Sequence, residues 1–163
     1  MKLVIVLPSI VGILSVGLPW LILRTMRGRE AAAFDAVQTV LSAQRRYSIK
    51  HGGRYVEIEC LAALQPGCGE RYIDPALVPS ALAPEGYERY FEGLPAPADG
   101  KAAANELRGF VYRADPVPGL AVRYYCGDET GRVCANRGRR VEVVAGHCAL
   151  QCDEELPAVP MKP

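Results

Sequence analysis

His147, Cys148 and Cys152 stand close together near the C-terminus, and imidazole nitrogen and thiolate sulfur are the donors that bind zinc. Structural zinc sites pair two couples of closely spaced ligands, and these cysteines fit an oxidised scaffold equally well, so neither a metal nor another cofactor is expected. The spacing Cys148-Ala-Leu-Gln-Cys152 is one residue too long for a Cys-x-x-Cys redox pair. The only histidines, His51 and His147, lie in no Gly-x-Ser-x-Gly or His-Glu-x-x-His context, and no enzymatic activity is expected. Asp128 and Glu129 offer carboxylates to a cation, but "GDETG" lacks the ligand pattern of a calcium loop and reads as a solvated turn.

Arg132, Arg137, Arg139 and Arg140 crowd one short stretch and form a possible anion-binding surface for phosphate or anionic headgroups. A solvated turn is the plainer account. No aromatic residue is interleaved to stack on bases, and the net charge is only +1, so no nucleic-acid partner is expected.

Cys60, Cys68, Cys126, Cys134, Cys148 and Cys152 make an even set, as in domains exported to an oxidising space. All six are disulfide candidates. Spacing favours local bridges, Cys60 to Cys68 and Cys126 to Cys134, the second across a hairpin around "GDETGRV"; Cys148 and Cys152 pair with each other or with distant partners.

The elements that must position these groups begin with an uncharged run. Residues 3–23 carry no charged side chain, and at about 1.5 Å per residue they extend roughly 30 Å, the depth of bilayer hydrocarbon. A transmembrane helix over 1–24 is therefore expected, retained as an anchor rather than cleaved as a signal peptide, since Arg24, Arg27 and Arg29 follow it. Those arginines favour the opposite orientation to the one the cysteines imply; the cysteines decide, placing the rest of the chain in the periplasm.

Residues 25–53 continue as an amphipathic helix with Ala33, Phe34, Val37, Val40, Leu41 and Tyr47 on one face, ending at Gly52-Gly53. Residues 54–154 are expected to form a disulfide-containing globular domain, and 155–163 a flexible tail. Within the domain, "GYERYFEGL", "GFVYRADP", "LAVRYYC", "GRVCA" and "RVEVV" are rich in Tyr, Phe and Val and bounded by turn residues, so an antiparallel meander follows. The fold class is α+β: a long N-terminal helix packed on a small antiparallel sheet of four to five strands.

This order resembles type IV pilins and the pseudopilins of type II secretion. "IVGILSVGLPWLILR" is similar to the pilin stretch in which an apolar segment ending Gly-Ile-Leu precedes a proline and basic residues. "EAAAFDAVQTVLSAQRRYSIKHGGRY" is similar to the soluble half of that helix. "GFVYRADPVPG" and "AVRYYCGDETGRV" look like a pair of strands in small pilin-like proteins. The resemblance implies a structural, non-enzymatic minor pilin or pseudopilin, with Gly12, Ser15, Gly17 and Pro19 as a helix-packing and stretch point. Its partners would be membrane lipid, other pilin-like subunits and an assembly platform. Its place would be the bacterial inner membrane as a single-pass protein, its domain periplasmic or in an extracellular filament. The family's fifth-position glutamate would fall near Leu3, yet the first acidic residue is Glu30, which leaves three accounts: a misassigned start, a tip-located minor subunit, or an uncleaved anchor that never polymerises. The alternative is a non-polymerising periplasmic binding module on a permanent single-pass anchor, with the arginine turn as its recognition surface.

Overall fold

The protein is seen in a computed structural model that describes residues 6–79, 83–96, 105–149 and 151–156, and of residues 6–23 the backbone alone. Helix α1 runs Val6–Lys50. Its buried side chains Ala33, Val37, Val40, Leu41, Gln44, Tyr47 and Ser48 recur every three or four residues, with Asp35, Thr39, Arg45 and Arg46 exposed between them. The apolar face expected from the sequence is the one that packs, with Phe34 half-buried at its margin. Gly52 and Gly53 take φ of +64° and +88°, and the Gly53 amide donates to the Ser48 carbonyl at 2.9 Å, the six-to-one bond that closes helices on glycine.

After α1 come strand β1 (Tyr55–Val56), the short helix α2 (Ile58–Leu61), a 3-10 turn over Pro75–Leu77, and strands β2 (Tyr87–Pro95), β3 (Glu106–Pro116), β4 (Arg123–Asp128), β5 (Val133–Arg137), β6 (Val143–Val144), β7 (His147–Cys148) and β8 (Glu154–Leu156). Six strands form one antiparallel sheet. β3 pairs with β2 along one side and with β1 and β4 along the other; β4 pairs with β5, and β5 with β8. β6 and β7 make a separate hairpin.

Alternation along the strands assigns the two faces. Phe110, Tyr112 and Ala114 of β3, Tyr125 of β4, and Val133 and Ala135 of β5 share a buried core with α1, which also takes in Ile58, Leu61, Ile73, Val78 and Tyr87. Val111, Cys126 and Cys134 point the other way and form a smaller core with Val141. Gly127 falls on the α1 side, and its missing side chain matters: a Cβ there would stand 2.6 Å from Leu41 Cδ1 and 3.0 Å from Val37 Cγ1. The helix therefore lies directly on the β4 backbone.

Several expectations are corrected here. Among the described residues the sheet has six strands and is joined by a second, two-stranded one, so the expected fold, a partly transmembrane helix on a small sheet of four to five strands, is corrected to one dominated by its sheets. Two short strands without internal periodicity account for the difference: β1, and β8, which takes the start of the expected tail into the sheet. Among the described residues no helix is long and apolar enough to cross a membrane, which overturns the expected span over 1–24 and the single-pass inner-membrane placement drawn from it. Where the side chains of α1 are described, charge recurs at Arg24, Arg27, Arg29, Glu30 and Asp35, too often for a hydrocarbon environment. The side chains of the 3–23 run lie outside the described residues.

One side chain closes an open sheet edge. Gln44 of α1 is fully buried, its Nε2 donating to the Val56 carbonyl at 2.6 Å and its Oε1 accepting from the Val56 amide at 3.2 Å. It does for β1 what a neighbouring strand would do. Gln44→Leu keeps the volume but strands two buried backbone groups, each costing about 1–3 kcal/mol. The expected loss is about 2–4 kcal/mol in urea unfolding; a loss below about 1 kcal/mol would show that water takes over both groups.

Candidate functional site

The face of the sheet away from α1 carries most of the chemistry. Cys126 of β4 and Cys134 of β5 are direct partners in the strand register, yet they do not bond to each other. Cys126 joins Cys148 and Cys134 joins Cys152, so both bridges rise from the sheet to the C-terminal segment. The expected Cys126–Cys134 bridge is thereby corrected: each sulfur faces a segment laid over the sheet, a partner that spacing along the chain does not reveal. Cys60–Cys68 forms as expected. All six cysteines are oxidised, so none is a thiol ligand or nucleophile.

The segment so held turns back on itself at Ala145 and Gly146, both at positive φ (+52° and +80°), which matches the two-residue hairpin turn between β6 and β7. Gly146 fits because it has no side chain: a Cβ would lie 2.5 Å from Leu94 Cδ1. This hairpin brings His147 over the end of β4.

There Asp128 links three pieces of chain. Its Oδ1 accepts from the Thr130 amide at 3.0 Å and the Thr130 hydroxyl at 2.5 Å, shaping the β4–β5 turn, while its Oδ2 accepts from the Cys148 amide at 3.0 Å. Beside it, His147 Nδ1 lies 2.7 Å from Glu129 Oε1. The other oxygen, Glu129 Oε2, is buried without a hydrogen-bond partner. Ligand atoms of Asp128, Glu129 and His147 all fall within 4.8 Å of one another. Each of these residues was noticed in the sequence, but apart: the carboxylates as a turn, the histidine as a neighbour of cysteines. Only the Cys126–Cys148 bridge, which ties the residues flanking them, joins the two sets.

The four arginines do not act as a cluster. Arg132, Arg139 and Arg140 border a cavity of about 680 Å³ together with Asn136, Glu142 and His147, but each already meets a carboxylate: Arg132 with Glu155 at 3.3 Å, Arg139 with Asp153 at 3.0 Å, Arg140 with Asp115 at 2.6 Å. Arg137 alternates with Val133 and Ala135 onto the opposite face, where it flanks a groove with Arg27, Glu30 and Phe34 of α1. The Asp153 carboxyl is held below its ordinary range, first by the Arg137 amide and then by Arg139. His51 stacks on Tyr47 with ring centroids 3.8 Å apart, at the end of α1. Gly12, Ser15, Gly17 and Pro19 belong to α1, which is continuous through them, and their side chains lie outside the described residues.

Asp115 of β3 is almost wholly buried under Arg140, with Arg113 at 4.0 Å; both guanidinium groups also lie over the Tyr90 ring, at 5.0 Å for Arg113 and 5.7 Å for Arg140. Burial raises its carboxyl above the usual 3.8, outweighing the two arginines. A carboxyl raised on folding holds more protons in the folded chain than in the unfolded one. Its contribution is therefore full below the unfolded value and lost as pH rises through the folded value. As pH rises from below the unfolded carboxyl value through the raised folded one, the stability of Asp115→Asn is expected to gain on the natural chain in urea unfolding, and a difference independent of pH would contradict this.

The bridges generate a second expectation. Replacing Cys134 and Cys152 by alanine opens a loop with a sequence separation of 18, at an expected cost of about 3 kcal/mol. Limited proteolysis should then cut within residues 138–153, whereas removing Cys60–Cys68 should leave that segment protected; equal protection in both variants would show that the segment holds without its bridge.

No protein-family model matches the chain, and no curated protein or solved structure is significantly similar to it.

Proposed function

We propose that the protein is a structural, non-enzymatic subunit of a pilin-like assembly, of the minor pilin or pseudopilin kind. The observation that carries this reading is α1. It is continuous over 45 residues, about 68 Å at 1.5 Å per residue, and among its described side chains the first that is buried is Ala33. Before that point Arg24, Thr25, Arg27 and Gly28 are exposed, and further back the sequence is uncharged over residues 3–23. A helix stretch that is apolar all round has to be covered. Helices of neighbouring subunits supply such cover, and Gly12, Ser15 and Gly17 are small enough to let them approach closely. The oxidised outer layer fits a subunit that works outside reducing compartments.

A photo-crosslinking amino acid in place of Val11 tests this in cells of the source organism grown to assemble filaments. Crosslinks to other helix-bearing subunits, and recovery of the protein in the sheared filament fraction, are expected. A folded, disulfide-bonded protein that yields neither would overturn the proposal.

A further inference from the structure

We propose that Asp128, Glu129 and His147 bind one divalent transition-metal ion, of which zinc is the representative, at the junction between the β4–β5 turn and the β6–β7 hairpin. The inference is independent of the assembly reading above, since it concerns the opposite end of the domain from the uncharged run.

Three observations converge on it. The three side chains bring ligand atoms to within 4.8 Å of one another. The second oxygen of the same Glu129 carboxylate, Oε2, is buried with no donor. Such an oxygen is costly to keep from water unless something coordinates it. Asp128, finally, uses three acceptor positions on Thr130 and Cys148, and a carboxylate has about four. One is left over.

The donor set selects the ion. Calcium and magnesium prefer oxygen ligands throughout, whereas an imidazole with two carboxylates suits zinc, manganese or iron. The contact of 2.7 Å between His147 Nδ1 and Glu129 Oε1 is a hydrogen bond, and a metal would replace its proton, which passes to solvent. Two donors on a tetrahedral ion with bonds of about 2.0–2.1 Å stand about 3.3 Å apart, so the ring must draw back from Glu129 by about 0.6 Å while the widest separation, at most 4.8 Å, closes toward the same value. His147 is half-exposed, which gives it the freedom to do so. Three protein ligands leave one tetrahedral position for water, and Asp128 and His147 both border the cavity of about 680 Å³ from which that water would come.

Titration of the disulfide-intact chain with Zn²⁺ alone, followed by calorimetry, tests the site. One ion per chain is expected. His147→Ala and the isosteric Glu129→Gln should each weaken binding at least tenfold, while His51→Ala should leave it within twofold. Circular dichroism and an unchanged count of free thiols establish that each variant is folded. Co²⁺ provides a second readout, because its visible absorption reports nitrogen coordination directly and should disappear in His147→Ala. No saturable Zn²⁺ binding to the folded chain would overturn the proposal. So would binding that survives both substitutions, or binding lost with His51.

Discussion

Two disulfides that rise from neighbouring strands constrain everything on the outer face of the sheet. Cys126 and Cys134 sit side by side on β4 and β5, and each sends its bridge upward, to Cys148 and to Cys152. Among the described residues, the buried apolar side chains of the layer they hold are Val141 against Val111 and the cystines themselves, with Val143 partly covered. A cluster of that size offsets little of the backbone entropy lost on ordering such a segment, about 1–2 kcal/mol for each residue fixed. The bridges act on the other side of the balance, by restricting the unfolded chain, at roughly 3 kcal/mol each for loops of this length.

The inner face is held by different means. There α1 lies on large apolar side chains, Phe110, Tyr112, Tyr125 and Val133 among them, each worth about 1.5–3 kcal/mol when buried. Close approach depends on Gly127, and directionality on Gln44, whose amide fixes where along β1 the helix sits. The sheet is thus sandwiched between a layer secured by packing and a layer secured by covalent bonds. Polar ties reinforce the second layer at its ends: the Asn136 side chain accepts from the Asp153 amide, and Asp128 from the Cys148 amide.

How much of this was legible in the sequence follows from the same contrast. The buried stripe of α1 announces itself because its burial recurs at three and four, and its end by paired glycines; strands β2 to β5 show through Tyr, Phe and Val content between turn residues, since β3 to β5 are buried in consecutive runs rather than alternately. β1 and β8 are too short for any period to show, and they exist because β3 and β5 offer them an edge. "RVEVV" looks like a full strand but contributes only Val143–Val144, since the chain must turn at Ala145-Gly146, a pair weaker in turn signal than Asn-Gly. The cysteine pairing was hidden for a related reason. Local spacing favoured the hairpin bridge, and the register does place those two residues opposite each other, but their side chains leave the sheet on the face where another segment lies.

The candidate site inherits its position from that arrangement. Asp128 is the second residue after Cys126, and His147 is the residue before Cys148, so the bridge between the two cysteines fixes the carboxylate and the imidazole within reach of each other. The Asp128 bond to the Cys148 amide then sets the hairpin's height over the strand end, and the Thr130 bonds set the turn that presents Glu129. Three residues capable of chemistry, spread over two distant stretches of sequence, become one site because a covalent link chooses which stretches meet. Breaking Cys126–Cys148 removes more than stability on this account: it separates Asp128 and Glu129 from His147, whereas breaking Cys60–Cys68, which ties neither stretch, leaves them together.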